Sequence, residues 1–414
     1  MQSINRSALF RASCLSLLVT SLSFGIRAGM LNQWGAEFNL DAAKLATITA
    51  TAFWGFPLAQ VFGGIIVDII GMKKLLMLAF ILHFLGIVLT ISTPYLPSPF
   101  WTLFSSTLLI GLANGTVEAA CNPLVTSLYT DNKTTKLNHF HLWFPGGIVI
   151  GTLIVSLFNK LLLGSASSQS IWQIEVGVML VPAILYGILF SKLDFPVTER
   201  VASGVSTSGM YRALLNPLFI FMFICMFGTA ITELFTGQWI DVLLKNVTQN
   251  AILLLTLETG IMALGRGLAK PVLKMVSPQL LLLISATLAA LGIYLLGTLT
   301  GDALFLAAII FGMGVCFFWP TMLGFVNTNL PATGAIGLNL MGGAGMFAVS
   351  VYTIFMGRYY DSIVAKAGGS NATAGQQVLH TTLIIPCILI VAFIGLVVYM
   401  RAKGKTAPIK AAVV

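Results

Sequence analysis

Charged side chains are scarce in this chain. It has 22 Lys and Arg and 13 Asp and Glu, so 8% of the 414 residues are charged, whereas an average soluble domain has about 25%. Hydrophobic residues make up 57% of the sequence. This composition excludes an ordinary soluble domain and predicts an integral membrane protein.

Cysteines and catalytic motifs are also sparse. Five cysteines are scattered at positions 14, 121, 225, 316 and 387, with no spacing typical of a metal site or a disulfide framework. No ATP-binding loop or nucleophile triad is recognisable, and the glycine-rich run 342–345 lacks the strand-turn-helix context of a phosphate-binding loop. We therefore predict a protein that is not an enzyme and that uses no metal and no cofactor.

Long apolar runs, in contrast, follow one another along the whole chain. About twelve reach the roughly 20 residues that a helix needs to cross a bilayer. The longest polar interruption divides them into two groups of six, which predicts an all-α membrane protein with an N-terminal six-helix bundle (1–192), a cytoplasmic linker (193–214) and a C-terminal six-helix bundle (215–414). The runs lie near 9–33, 46–68, 75–93, 101–128, 137–160, 172–191, 215–241, 251–273, 279–299, 303–327, 335–358 and 378–400.

The net charge of +9 follows the predicted topology. With the N-terminus placed in the cytoplasm, about fifteen Lys and Arg fall on the inner side and about five on the outer side, as the positive-inside rule requires. The basic charge is therefore explained without a nucleic-acid partner. Both termini are predicted to be cytoplasmic, and the compact loops favour a bacterial inner membrane.

A loop motif follows the second apolar run. The stretch GGIIVDIIGMKK carries Gly64, Asp68, Gly71 and Lys73, which match most of the pattern Gly-x-x-x-Asp-Arg-x-Gly-Arg-Arg. In this feature and in its six-plus-six layout the chain resembles the major facilitator superfamily, which implies a role for these residues in a cytoplasmic gate. The Arg that usually follows the Asp is Ile69 here, so we expect a thinner ion-pair network.

Two further stretches narrow the resemblance. Residues 263–282, which include Arg266, and residues 118–151, with Glu118 in EAACNP, are similar to the fucose–galactose–hexose:proton symporter branch. The resemblance implies that Glu118 is the proton-coupling carboxylate and that Arg266 belongs to the gate in the second half. It also implies a proton gradient as the driving force.

Glu118 lies in a polar stripe of its apolar run. Asn114, Glu118 and Asn122 are spaced at i, i+4 and i+8, so they share one helix face. Pro123 removes a backbone donor and leaves the carbonyl of Ala119 without its helical partner. Such a stripe is tolerated when it faces protein or a water-filled cavity. A carboxylate that only locks two helices together is the alternative.

Arg27 is the cation that could act on Glu118. Burial disfavours the charged form of a carboxyl group and a nearby cation favours it, so a changing environment would let Glu118 take up and release a proton. The resembled branch carries an acidic residue on this first span, where this chain has Arg27 or Ala28. An arginine that faces the cavity could instead clamp an anionic substrate group.

Other side chains suit a sugar site, which needs planar hydrogen-bonding groups and an aromatic plate. Glu233 is a candidate second proton site, while Glu175 and Glu258 are expected near the outer membrane face. For His141 a structural role is as plausible, and Trp239 could instead anchor at the membrane interface. The predicted substrate-binding residues are Asn114, Asn122, His141, Trp143, Gln238, Trp239, Trp319 and Asn339.

The sequence thus predicts a secondary transporter that acts as a monomer in the lipid bilayer by alternating access. Its expected substrate is a small polar solute such as a monosaccharide, carried together with protons. An anionic sugar acid bound by Arg27, a uniporter and an exporter are the alternatives within transport. A membrane sensor that transports nothing is the alternative from another class.

Overall fold

A computed structural model describes residues 4–40, 42–162, 167–237, 243–244, 251–366 and 373–404. These residues are almost entirely helical and contain no strand. Eleven helical segments among them are long and apolar enough to cross a membrane. The all-α fold predicted from the sequence is therefore confirmed.

The helices follow the apolar runs closely. Their bounds are α1 Arg6–Phe38, α2 Ala42–Ile70, α3 Met72–Ile91, α4 Pro99–Leu128, α5 Lys133–His141, α6 Trp143–Leu162, α7 Ser168–Val178, α8 Leu180–Lys192, α9 Glu199–Ala202, α10 Thr207–Leu214, α11 Pro217–Ala230, α12 Ala251–Gly267, α13 Ala269–Met275, α14 Pro278–Leu296, α15 Ala303–Val315, α16 Phe318–Asn329, α17 Gly334–Lys366, α18 Ala374–Thr382 and α19 Ile384–Ala402. A π-helix, Ile231–Phe235, continues α11. The predicted eighth span, 251–273, corresponds to α12 and α13, which are separated at Leu268 and are not among the eleven segments.

The chain forms two compact units. Unit 1 comprises residues 1–130, 143–211 and 331–343, and unit 2 comprises residues 131–142, 212–330 and 344–414. The division into bundles at 193–214 stays a prediction, since each unit also includes a short segment from the opposite half of the sequence. Within 193–214 the structure forms the short helices α9 and α10.

Unit 1 is organised around α4. Both α2 and α3 pack along it, while α1 packs against α6 and α8. This central position explains the burial of α4, in which every residue from Ala113 to Thr126 is buried. The stripe Asn114–Glu118–Asn122 therefore faces other helices of unit 1.

In unit 2, α14 packs against α15 and α19, and α15 also packs against α12. Helix α16 packs against α5 and α11. The π-helix places one extra residue in a turn, a geometry found frequently at functional sites. It contains Glu233, which is thereby presented to the interior of the unit.

Candidate functional site

The carboxylate of Glu118 lies in the interior of unit 1. Its side chain is 2% exposed, and Oε2 accepts hydrogen bonds from Gln60 Nε2 at 3.2 Å and from Asn122 Nδ2 at 3.3 Å. The Asn122 bond follows from the i, i+4 spacing on α4, whereas Gln60 reaches the carboxylate from α2. The structure therefore brings Glu118 and Asn122 together and adds an amide that the sequence did not pair with them.

One turn earlier on α4, Asn114 belongs to a buried chain of hydrogen bonds. Its Oδ1 lies 2.8 Å from His83 Nε2, and its Nδ2 donates to Ser23 Oγ at 3.2 Å. The other ring nitrogen of His83, Nδ1, lies 2.8 Å from the hydroxyl of Tyr186. Because an amide oxygen only accepts, Nε2 of His83 carries the hydrogen and Nδ1 accepts from Tyr186. This network fixes the orientation of the Asn114 amide.

The carbonyl group that Pro123 leaves unpaired has a partner. Asn339 Nδ2 donates to the backbone oxygen of Ala119 at 3.0 Å. The approach is close, since a Cβ on Gly64 would lie 2.5 Å from the Cβ of Asn339. Gly64 of the loop motif therefore leaves space for Asn339, which hydrogen-bonds the carbonyl of α4 that has no partner within the helix. The substrate-binding role of Asn339 stays a prediction.

We expect Asn339→Ala to lower the free energy of unfolding by about 1–3 kcal/mol, because a buried carbonyl loses its donor. In a Pro123→Ala background the restored N–H of residue 123 can bond Ala119 instead. In that background Asn339→Ala should lower the free energy of unfolding by clearly less. A double-mutant cycle on detergent-solubilised protein would measure the difference. If Asn339→Ala lowered the free energy of unfolding equally in both backgrounds, the hydrogen bond from Asn339 to the Ala119 carbonyl would not be the cause of the loss.

Arg27 is also buried in unit 1. Its side chain is 7% exposed, and the guanidinium carbon lies 5.1 Å from the centre of the Phe24 ring. This is the geometry of a cation–π contact. The predicted Arg27–Glu118 pair stays a prediction.

The loop motif between α2 and α3 contacts the linker segment. Asp68 Oδ2 accepts from Arg200 Nε at 2.6 Å, and Asp68 Oδ1 accepts from the hydroxyl of Thr198. Lys73 Nζ donates to the backbone oxygen of Leu193 at 3.0 Å. Arg200 of the linker is thus the cation that pairs with Asp68, while the thinner ion-pair network expected from Ile69 stays a prediction.

The turn of this motif depends on Gly71, the N-cap of α3. Its φ of +86° lies in the left-handed region that glycine adopts without steric cost. The turn places Lys73 on the first turn of α3, where it reaches the linker. The gating role of these residues stays a prediction.

In unit 2, Arg266 forms a buried ion pair with Glu233. Arg266 Nη2 lies 2.7 Å from Glu233 Oε1, and the two side chains are 1% and 3% exposed. The same guanidinium donates to the backbone oxygens of Cys316 at 2.7 Å and His141 at 3.0 Å. Arg266 lies one residue before the end of α12, and its role in a gate stays a prediction.

The remaining candidates divide between the two units. In unit 2, His141 is 2% exposed and Trp319 is 6% exposed, and within the described part of the chain the indole nitrogen of Trp319 has no hydrogen-bond partner. In unit 1, Trp143 is half-buried and its backbone oxygen accepts from Ser21 Oγ. Gln238 and Trp239 lie outside the described residues.

Eleven helical segments that could cross a membrane and a buried ion pair are typical of a multi-pass membrane protein. The chain belongs to the Major Facilitator Superfamily, whose sequence profile matches residues 13–351.

Similar solved structures share this fold. They include the fucose:proton symporter FucP of E. coli (17% identity, TM-score 0.70, covering 93% of this chain and 98% of that one). The proton:xylose symporter XylE has 14% identity and a TM-score of 0.75, with 98% of each chain covered. The nucleoside transporter NupG has 17% identity and a TM-score of 0.63, with 94% of this chain and 99% of that chain covered.

Sequence relatives match over a shorter stretch. Member 10 of solute carrier family 2, a facilitated glucose transporter, is 26% identical over 183 residues in Xenopus tropicalis and 26% identical over 172 residues in Xenopus laevis. These matches cover 44% and 42% of this chain. They span 31% and 29% of the relatives' own length.

Proposed function

We propose that this transporter carries a monosaccharide, or a related small polar solute, together with protons by alternating access. The observation that carries the proposal is Glu118, a carboxylate in the interior of unit 1 that is 2% exposed and accepts bonds from two amides. A carboxylate inside a membrane span is costly and usually serves a proton or substrate pathway. Glu118 is the proton acceptor of this proposal.

The proposed substrate class is supported by the similar proteins. Their names give fucose, xylose, a nucleoside and glucose, which all present several hydroxyl groups on a ring. The buried amides and indoles of the chain offer donors, acceptors and flat apolar surfaces to such a solute. A bacterial inner membrane, cytoplasmic termini and a functional monomer complete the proposal.

A sugar acid is the second candidate substrate. It is favoured by Arg27, a buried guanidinium whose planar fork could bind a carboxylate in a bidentate manner. The cation–π contact with Phe24 would hold the guanidinium in place. Competition for binding distinguishes the two candidate substrates, because neutral sugars should not compete for a site that requires an anionic group.

Uptake into proteoliposomes tests the proposal. Purified protein should accumulate one of a panel of radiolabelled neutral sugars, nucleosides or sugar acids when an inward proton gradient is imposed, and a protonophore should abolish the accumulation. Entry that only equilibrates across the membrane would identify a uniporter. Absence of uptake for every member of the panel would refute the substrate class.

A further inference from the structure

Unit 2 contains a second buried carboxylate beside the Glu233–Arg266 pair. Glu258 on α12 is 1% exposed, and its expected position near the outer membrane face stays a prediction. It lies eight residues before Arg266, two turns along the same helix, and therefore on a similar face. In the described part of unit 2, the interior thus contains two carboxylates and one guanidinium.

Two glycines leave space for Glu258. Its Oε1 lies 2.8 Å from where a Cβ on Gly237 would be, and its backbone oxygen lies 3.1 Å from the corresponding point on Gly312. Gly237 is one turn beyond Glu233 in the chain, so the Glu258 carboxylate lies near the helical turn that carries Glu233.

The charges of this cluster, counted over the residues that the structure describes, do not balance. Arg266 carries +1, while Glu233 and Glu258 carry −1 each when ionised, so the sum is −1. Among the described residues, the other titratable side chains that lie against Glu233 or Arg266 are His141 and Cys316, and a neutral imidazole and a neutral thiol leave this sum unchanged. A net charge in the interior of a membrane protein is strongly unfavourable. One bound monovalent cation would restore neutrality.

The hydrogen bonds of the cluster are also incomplete. Among the described residues, Glu233 Oε2, Glu258 Oε2 and the hydroxyl of Thr236 have no hydrogen-bond partner, although all three side chains are buried. A buried polar atom without a partner is costly. The two carboxylate oxygens are acceptors that lack a donor, and a proton on one of them supplies an O–H group.

We propose that Glu258 binds an exchangeable proton and that unit 2 therefore has a protonation site distinct from Glu118. Glu258 takes the proton rather than Glu233, because the negative charge of Glu233 is already compensated by its ion pair with Arg266. With Glu258 neutral, the charges of Arg266 and Glu233 balance. Any role of this proton in transport rests on the proposed function, whereas its binding does not.

Infrared difference spectroscopy of the purified protein in lipid tests this site without transport. The spectrum between acidic and alkaline pH should contain the carbonyl stretch of a protonated carboxyl group that shifts in D2O. Glu258→Gln should remove one component of this band. Glu118→Gln should leave that component in place, and the exposed Asp302→Asn is the matched control in unit 2.

A second variant keeps the test decisive if Glu258→Gln does not fold. Gly237→Ala should displace the Glu258 carboxyl group and shift the same component without removing it. A spectrum of Glu258→Gln identical to that of the wild type, or no shift in Gly237→Ala, would overturn the proposal. A band whose intensity changes with sodium concentration at constant pH would also overturn the proposal, because the site would then bind an alkali cation instead of a proton. Failure of proton-driven uptake with the band intact would refute the proposed function alone.

Discussion

Glu118→Gln is expected to abolish accumulation of the solute against its gradient while the solute still binds. Glutamine has the size of glutamate and can still bond Asn122 and Gln60, but it cannot take up a proton. Without a coupling free energy between proton and solute, the ratio of the solute concentration inside the vesicles to that outside should fall to about one. This is the value of simple equilibration. Counterflow exchange of labelled solute measures the activity that remains.

Glu175→Gln is the matched control for this prediction. Glu175 is also a buried carboxylate of unit 1, and its Oε1 accepts a bond from Asn159 Nδ2 at 3.0 Å. This variant should accumulate solute as the wild type does. Uphill transport at the wild-type rate by Glu118→Gln would show that the coupling carboxylate lies elsewhere, and loss of folded Glu118→Gln protein would identify a structural role.

The second large effect is expected at Arg266. Arg266→Met leaves the Glu233 carboxylate buried without its cation and takes a donor from the backbone oxygens of Cys316 and His141. Removal of one partner of a buried ion pair costs about 3–5 kcal/mol. We expect a loss of this size in the free energy of unfolding, measured by denaturation of the purified protein with SDS.

The double variant Arg266→Met, Glu233→Gln separates the ion pair from the loss of packing. Since no uncompensated charge remains at position 233, it should recover most of the lost stability, while the exposed Arg212→Met should change little. A double variant that is no more stable than Arg266→Met would mean that the backbone oxygens, and not Glu233, need the guanidinium.

The spans were predictable because hydrophobic length alone determines which segments cross a bilayer. The apolar run near 101–128 became α4, Pro99–Leu128, and the run near 279–299 became α14, Pro278–Leu296. The bond between Asn122 and Glu118 was also within reach of the sequence, because both residues lie on one helix and their spacing determines their separation.

Contacts between helices were not predictable in the same way. Arg200 is 132 residues from Asp68, Gln60 is 58 residues from Glu118, and Arg266 is 33 residues from Glu233. The register of one helix against another decides such pairs, and no local pattern records it. The only available signal was thermodynamic, since a buried charge or amide implies a partner without identifying it.

The contacts of Thr198 and Arg200 with Asp68 have a consequence for engineering this protein. The first part of the linker is structurally an extension of the α2–α3 turn, so an affinity tag or protease site inserted at 196–200 would disturb the loop motif about 130 residues away in sequence. The bound section extends to Val205, because Arg200 Nη1 also donates to the backbone oxygen of Val205 at 2.7 Å. Insertions after Val205 would leave these contacts intact and are the better choice for splitting the chain into two coexpressed fragments.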